Sequence, residues 1–288
     1  MQGILIVNKP SGYTSQDVVS KVKKILNIKK AGHTGTLDPL ATGVLPIMLG
    51  DYTKLSKYLI EHDKTYIAKV RLGEKSSTGD LEGEIIDKKA VNEKKLNPEN
   101  VCKILNSFLG KKKQKPHIYS SIKINGKKLY EYARNGEKVD IPERDIEIYN
   151  IELINISDNE IEFKVSCSKG TYIRTLCEDI AQKLNTVGLM SYLNRIKVDR
   201  FEIKDAVTLE ELEKKKENIE NRLINMEDLF SNLNKIELDK RKTELFLNGV
   251  MLTYSKTDGL YNIYTENKYL GLGTIKNNLL KRDVIINV

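Results

Sequence analysis

Residues 161–184, with the sequence IEFKVSCSKGTYIRTLCEDIAQKL, contain the clearest change of hydrophobic period in this chain. Apolar and polar side chains first alternate, which predicts a strand with one buried face. The apolar positions of that strand are Ile161, Phe163, Val165 and Cys167. The Ser-Lys-Gly segment at 168–170 then ends the alternation. Apolar side chains next recur at helical spacing, at Ile173, Leu176, Cys177, Ile180, Ala181 and Leu184. A strand that leads into an amphipathic helix indicates a mixed α and β fold.

Similar patterns lie on the N-terminal side of this segment. Residues 4–7 predict a short buried strand, and Thr14 or Ser15 is expected to cap the helix that follows. Residues 66–72 alternate as a strand does, with Tyr66 on the apolar face. Residues 31–50 are rich in glycine and proline, so we expect an ordered loop there rather than a helix.

The C-terminal part of the chain has a different character. Thr208 and Glu211 predict a capping box in a charged segment. After residue 232, short apolar segments alternate with glycine-containing turns, expected at 248–249, 258–259 and 269–273. We therefore predict a main domain over residues 1–232, with a basic insertion at about 111–139, and a β-rich domain over residues 233–288. A domain of this size is small for independent stability, so we expect it to be stabilised by packing against the larger domain.

The composition restricts the class of protein. The chain has 288 residues, of which 40% are hydrophobic and 31% charged, as in an ordinary folded protein of two domains. No segment reaches the ~18 consecutive apolar residues of a membrane span, and a signal peptide is not indicated. The three cysteines and three histidines lack metal-ligand spacing, so we predict neither a disulfide framework nor a metal site. A reducing cytoplasm is the expected location.

The excess of positive charge is concentrated in one segment. Residues 111–138 contain nine basic and two acidic side chains, a difference of +7, whereas the whole chain carries +8. Tyrosines are interleaved with the lysines there. Such a segment suits the phosphates and exposed bases of a nucleic acid, although a solvated lysine-rich surface would give the same pattern.

Residues 32–43, GHTGTLDPLATG, form the stretch most suggestive of a binding site. Its glycines allow a ligand to approach the backbone closely. The stretch lacks the Gly-Lys-Ser/Thr ending of a P-loop, so it does not indicate nucleotide hydrolysis. Gly32 to Gly35 match the short GXXG pattern of KH domains, which is common by chance. Taken alone, the Asp38-Pro39 pair favours a simple turn.

The longer sequence at residues 32–47, GHTGTLDPLATGVLPI, resembles the catalytic loop of the tRNA pseudouridine-55 synthases, the bacterial B family of pseudouridine synthases. Other segments resemble further motifs of that family in the same order: 8–12, 63–66, 72–73, 114–136, 167–175 and 192–195. Residues 246–249 and 269–273 resemble a shortened PUA-type RNA-binding domain. The resemblance implies an α+β pseudouridine synthase fold, with a mixed, largely antiparallel sheet flanked by helices and a small β-rich PUA-like domain.

The resemblance also implies an activity, the isomerisation of uridine 55 in the T-arm of tRNA to pseudouridine. The base is detached from the ribose and reattached through carbon, so no cofactor or metal is implied, nor any membrane or obligate protein partner. The family's essential aspartate falls on Asp38, and its cation falls on Arg174. A carboxylate is already ionised at neutral pH, and a nearby cation keeps it so against the effect of burial. Tyr66 is implied to stack on the flipped uracil, which must leave the RNA stack to be reached.

The resemblance assigns further positions to RNA. Tyr172 and Leu193 are implied to contact the target base, and His33 to help displace the target from the RNA arm. Lys9 is implied to hold either the catalytic loop or a phosphate. The RNA backbone is expected to meet the basic insertion through Lys111, Lys112, Lys113, Lys115, Lys123, Lys127, Lys128 and Arg134.

Two alternatives stay open at this point. The basic insertion and the C-terminal domain could belong to an RNA-binding or RNA-folding protein without catalysis. A pair of carboxylates could instead act in a glycoside-type hydrolase, which would release free uracil. The chain also departs from the family pattern, with Ser121 and Asn194 at positions where alanine and arginine are usual.

Overall fold

The computed structural model describes residues 1–60, 62–214 and 216–286. The last two residues of the expected C-terminal domain therefore lie outside the described part. The helices are α1 (Ser15–Leu26), α2 (Ser56–Leu59), α3 (Pro98–Asn106), α4 (Leu129–Arg134), α5 (Ile173–Lys183), α6 (Leu209–Lys214), α7 (Met226–Leu229) and α8 (Lys240–Leu247).

The strands of the first 232 residues are β1 (Gly3–Lys9), β2 (Ala31–His33), β3 (Thr42–Leu49), β4 (Lys64–Leu72), β5 (Glu74–Ser76), β6 (Ile85–Lys88), β7 (Gly110–Gln114), β8 (Lys123–Ile124), β9 (Lys127–Lys128), β10 (Arg144–Ser157), β11 (Glu160–Cys167), β12 (Gly188–Val198) and β13 (Phe201–Glu202). The later strands are β14 (Lys235–Glu237), β15 (Leu252–Thr253), β16 (Gly259–Thr265), β17 (Lys268–Lys276) and β18 (Leu279–Ile285).

The main sheet has the order β1-β3-β12-β4-β11-β10-β7, with β2 beside β3 and β13 beside β12. All of its pairs are antiparallel except β3 with β12, which are parallel. Helices α3 and α5 pack on one face through apolar side chains that include Val101, Leu105 and Leu176. Helix α1 packs elsewhere on the sheet, against β1 and β3. The predicted mixed, largely antiparallel sheet with flanking helices is confirmed.

Most of the elements expected from periodicity are present. Helix α1 begins after Thr14, whose side chain forms a capping box with Asp17. The capping box at Thr208 and Glu211 precedes α6. Strands β4 and β11 and helix α5 follow the expected apolar faces.

The expectation of a loop throughout residues 31–50 is wrong at both ends of that range. Strand β3 occupies Thr42–Leu49, and β2 occupies Ala31–His33. Val44 and Met48 join one apolar cluster, whereas Leu45 and Ile47 join another, so β3 is buried on both faces. A strand buried on both faces shows no polar alternation, which is why its periodicity did not reveal it.

The five-stranded C-terminal sheet has the order β14-β16-β17-β18-β15. The glycines at 271 and 273 lie inside β17, so the turn expected at 269–273 is wrong. The two hairpin turns lie instead at Glu266-Asn267 and Asn277-Asn278, where both residues of each pair have positive φ, as type I′ turns require. The pair at 248–249 follows the end of α8 rather than joining two strands.

The basic insertion begins in the main sheet. Its first lysines lie on β7, which pairs with β10 at the sheet edge. The remainder forms the short β8–β9 hairpin and α4. Among the described residues, no helix combines the length and apolar character needed to cross a bilayer.

Candidate active site

The loop between β2 and β3 presents Asp38 on a rigid turn. The Ala41 N–H donates to the Asp38 carbonyl at 3.1 Å, which closes a turn with Pro39 at its second position. The buried ammonium of Lys9 donates to the Pro39 carbonyl at 3.0 Å, and the Gly12 N–H donates to the same oxygen at 2.9 Å. The Asp-Pro turn therefore holds the carboxylate in place.

Arg174, in the first turn of α5, holds that carboxylate at two points. Its Nε lies 3.2 Å from Asp38 Oδ2, and its Nη2 donates to Asp38 Oδ1 at 3.4 Å. The Arg174 side chain is 7% exposed and the Asp38 side chain 33% exposed. A planar guanidinium in this position fixes the orientation of the carboxylate as well as its charge.

The remaining guanidinium donors are also held. Nη1 donates to the Thr78 carbonyl at 2.9 Å and lies 3.5 Å from a carboxylate oxygen of buried Asp80. Nη2 donates to the Tyr119 carbonyl at 2.7 Å. The sequence analysis missed Asp80, because it is far from both Asp38 and Arg174 along the chain and belongs to no quoted motif.

Opposing effects act on the acidity of Asp38. Burial raises the pKa of its carboxyl above the ordinary value, and the Asp80 carboxylate raises it further, whereas Arg174 and Lys9 lower it. Burial is the largest of these effects. The two cations therefore oppose the protonation of this carboxyl that burial favours.

The carboxylate opens into a cleft of about 780 Å³. Tyr66, Tyr172 and Leu193 line this cleft together with Asp38 and Arg174. Burial raises the pKa of Tyr66 to about 12, so its phenol stays protonated at neutral pH. Its ring and the Leu193 side chain supply an apolar lining. The structure thus brings the five residues expected to act on the target nucleotide, Asp38 and Arg174 among them, to one cleft.

Arg195 is a further cleft residue that the sequence analysis quoted within a motif but did not assign to the site. It is 1% exposed, and its Nε donates to the Val44 carbonyl at 2.8 Å while Nη2 donates to the Gly35 carbonyl at 3.1 Å. Its guanidinium also forms a hydrogen bond with the Tyr66 side chain. Arg195 therefore connects the loop between β2 and β3, strand β3 itself and the cleft tyrosine.

Two of the expected substrate-contacting residues are not among those lining the cleft. Lys9 lies beneath the loop, and burial lowers the pKa of its ammonium to about 8. His33 ends β2, and its Nδ1 has no hydrogen-bond partner among the described residues. Burial and the charge of Arg195 lower the pKa of this imidazole.

The basic residues expected to meet RNA lie mostly at the surface. Lys111, Lys112, Lys113, Lys115, Lys123 and Arg134 are exposed, and Lys127 and Lys128 are half-buried. Arg134 lines the cleft and lies over the ring of Tyr130. Lys127 pairs with Glu137 at 2.7 Å. In the described ranges, no cluster of three or more His, Cys, Asp or Glu side chains is arranged to hold a metal ion.

Comparisons with known proteins find similarity over nearly the whole length of the chain. Residues 23–173 match the TruB family pseudouridylate synthase N-terminal domain, and residues 174–237 match the tRNA pseudouridylate synthase B C-terminal domain. The tRNA pseudouridine synthase B of Alkaliphilus oremlandii is 43% identical, over 96% of this chain and 94% of that protein. The enzyme of the same name from Clostridium tetani is 43% identical, over 95% of each chain.

A solved structure shares the fold. It is an H/ACA ribonucleoprotein bound to a substrate RNA containing 2'-deoxyuridine, with a TM-score of 0.70 and 23% identity. The alignment covers 99% of this chain and 85% of the other.

Proposed function

The chain belongs to the TruB family of pseudouridylate synthases and isomerises uridine in tRNA to pseudouridine, and we propose that its target is uridine 55 of the T-arm and its nucleophile Asp38. The observation that carries the assignment of Asp38 is its two-point contact with Arg174 in a cleft that Tyr66 also lines. This is the one described carboxylate that combines a turn-fixed backbone, a buried cation and an open cleft.

The proposed reaction rearranges one nucleotide without net change of atoms. The bond between uracil N1 and ribose C1′ breaks, the base turns, and a bond between C5 and C1′ forms. C5 loses a proton and N1 gains one. The ionised Asp38 carboxylate attacks either the sugar or the base and leaves again, and Arg174 holds the carboxylate in its attacking orientation.

The cleft lining supports a role in holding an extruded base. A uridine within a folded arm must leave the stack, which costs a few kcal/mol, and one base–aromatic stack returns about 1–3 kcal/mol. We assign this stacking to Tyr66, with Leu193 and Tyr172 also touching the base. The neutral phenol of Tyr66 suits packing better than it suits proton abstraction.

The other expected contacts are part of the same proposal. Lys9 supports the catalytic loop from below, and His33 acts on the RNA arm from the end of β2. The basic insertion meets RNA phosphates, and residues 233–288 form a short PUA-like RNA-binding domain that packs against the catalytic domain of residues 1–232. The protein acts in the cytoplasm, without a cofactor, metal or obligate protein partner.

The decisive experiment compares Asp38→Asn with Asp87→Asn, an exposed aspartate on β6. Each variant is incubated with unmodified T-arm RNA, and pseudouridine is mapped by carbodiimide-dependent primer-extension stops. We expect Asp38→Asn to lose more than about 10³-fold in rate, the order found when a nucleophile is removed from other enzymes. Binding of tRNA should persist, and Asp87→Asn should behave as the unaltered protein does.

The alternatives give different results in the same assay. A glycoside-type hydrolase would release free uracil, and an RNA-binding protein without catalysis would give no stop with any variant. An Asp38→Asn protein that still formed pseudouridine at position 55 would exclude the proposed nucleophile.

A further inference from the structure

A second cleft of about 600 Å³ lies between α3 and the end of α5. Four lysines from three segments line it: Lys94, Lys95, Lys103 and Lys183. Glu99 is the one acidic side chain among its lining residues. We call this surface the α3–α5 lysine cleft; its lining carries a formal charge of +3, from four lysines and one glutamate.

Among the described residues, the lysines of this cleft form no close ion pair, although the Asp179 carboxylate on α5 interacts electrostatically with Lys183. None of the four forms an ion pair with a carboxylate among the residues that the structure describes. Another open cleft of about 740 Å³ provides a contrast, because its basic residues are neutralised by acids of its own lining. There Arg71 pairs with Glu160 at 3.1 Å, and Lys88 pairs with Glu74 at 2.8 Å. Of the two clefts, the α3–α5 lysine cleft is the one whose lining carries a net positive charge.

The backbone that carries these lysines is held by local hydrogen bonds. The Asn97 amide donates to the Lys94 carbonyl at 3.0 Å, and the Asn100 amide donates to the Lys95 carbonyl at 2.8 Å. Asn97 also caps the N-terminus of α3, whose positive end adds to the lysine charges. The ammonium of Lys183 lies 5.3 Å from the centre of the Phe108 ring. A fixed backbone that carries four ammonium groups, with no close carboxylate in the described part of the chain, suits a repeating polyanion.

The α3–α5 lysine cleft lies on the same face of the main sheet as the active site. Side chains of α3 and α5 share one apolar cluster with Tyr66 and Leu193. Helix α5 begins at the active site with Arg174 and ends at Lys183, nine residues and about 14 Å further along its axis. An RNA bound in the active site can therefore reach the lysine cleft if it extends along α5.

From this placement we propose that the α3–α5 lysine cleft binds phosphates of the tRNA outside the T-arm. The proposal rests on the proposed function, since it takes the T-arm to occupy the active site. It assigns a second contact surface to the same substrate, separate from the basic insertion. Its contribution is to affinity for the whole tRNA and not to the chemical step.

The test uses a quadruple variant, Lys94→Gln, Lys95→Gln, Lys103→Gln and Lys183→Gln, in the full chain. A matched control removes four exposed lysines scattered elsewhere: Lys24→Gln, Lys54→Gln, Lys88→Gln and Lys204→Gln. Dissociation constants for unmodified full-length tRNA and for an isolated T-arm stem–loop are measured between 50 and 200 mM salt. Thermal unfolding verifies that both variants are folded.

Each lysine–phosphate contact adds about 0.9 to the slope of log affinity against log salt, so four contacts add about 3.6. Over this fourfold range of salt, the unaltered protein should lose about 10²-fold more affinity for tRNA than the quadruple variant does. Binding and modification of the T-arm stem–loop should not change, and the matched control should keep the full slope. Ethylation interference should locate the lost phosphates outside the T-arm.

The proposal is overturned if the difference in salt dependence between the unaltered protein and the quadruple variant is below about tenfold, or if the matched control shows the same difference. An equal loss on the T-arm stem–loop would also overturn it, because the cleft would then contact the arm itself. Failure of the proposed function is distinguishable, since in that case the unaltered protein would not modify the stem–loop at all.

Discussion

At the active site, burial and the Arg174 guanidinium act on the Asp38 carboxyl in opposite directions. Burial raises the pKa of this carboxyl, and Arg174 is the strongest influence that lowers it. If the ionised form is the nucleophile, activity is lost as the pH falls through this pKa. The acid limit of activity should therefore lie above the pH at which an ordinary aspartate, of pKa about 3.9, takes up its proton.

The substitution Arg174→Gln tests this balance. Burial and Asp80 raise the pKa of Asp38, and without Arg174 only Lys9 still lowers it. The pKa of Asp38 therefore rises further in this variant. We expect the acid limb of the kcat/KM profile to move to higher pH by about 1–3 units, with a lower rate at every pH. Single-turnover rates between pH 5 and 9 provide the measurement. The control is Arg144→Gln, an exposed arginine that lines the same cleft; an identical profile in both variants would contradict the assignment.

Arg195 should act as a positioning residue. In Arg195→Lys a single ammonium cannot reach the Val44 carbonyl, the Gly35 carbonyl and Tyr66 together. Each lost hydrogen bond that leaves a buried group unsatisfied costs about 1–3 kcal/mol, and a displaced loop of ~1 Å can lower kcat by about 10²-fold. We expect kcat to fall while tRNA binding is kept. Arg200→Lys, on an exposed arginine, should change neither quantity.

Single residues differ in how far the sequence reveals their partners. The family motifs identified Asp38, Tyr66 and Arg174 as candidate site residues, and the structure places them in one cleft. Asp80 escaped notice because its contact with Arg174 joins residues 94 positions apart, and no local pattern marks such a pair. Arg195 stood in a quoted motif, but the motif did not show that its side chain is buried.

At the level of elements, the approach of β3 to β12 depends on Gly43. A Cβ built at this glycine would lie 2.3 Å from the Arg195 carbonyl oxygen and 2.4 Å from Asn194 Oδ1. Its φ of 108° is also one that other residues rarely adopt. Here β3 and β12 form the parallel pairing of the main sheet, directly after the loop that carries Asp38. The glycine therefore allows the loop and Arg195 to meet.

The substitution Gly43→Ala, compared with a control glycine, distinguishes the cost of crowding between β3 and β12 from the cost of backbone strain. Gly110 has a comparable φ of 84° but no atom within 4 Å of a built Cβ, so Gly110→Ala is the matched control. Both changes carry about 1–3 kcal/mol of backbone strain, and Gly43→Ala adds about 1–3 kcal/mol of overpacking. Urea unfolding measures the stability difference. Equal losses in the two variants would show that the contact with β12 is unimportant.

Elements with one exposed face were predictable from their period. Of two main-sheet strands buried on both faces, β1 was predicted only as a short apolar run, and β3 was missed. Alternation revealed β4 and β11, and a capping threonine with helical spacing revealed α1. Strand β3 contains Pro46 and is buried on both sides, so its apolar run gave no period. In the C-terminal sheet, glycines suggested turns, whereas the turns are made by Glu266-Asn267 and Asn277-Asn278.

For the whole molecule, the C-terminal sheet shares an apolar core with the catalytic part. Leu272 and Val284 of that sheet are buried in one cluster with Tyr52, Leu55 and Met226. Tyr58 and Lys57 also contact the Asp283 carboxylate across the same boundary. The expectation that so small a domain leans on its neighbour fits these contacts, although the sequence did not indicate which residues make them.

A shared core predicts cooperative unfolding of the whole chain. Leu272→Ala removes a fully buried side chain from the shared cluster, and Leu280→Ala removes one from the cluster internal to the C-terminal part. Each should cost about 2–5 kcal/mol. If the two parts unfold together, both substitutions lower one common transition, and hydrogen exchange accelerates in β4 as well as in β17. If the C-terminal sheet opened alone, Leu280→Ala would leave exchange in β4 unchanged, and cooperativity of the whole chain would be refuted.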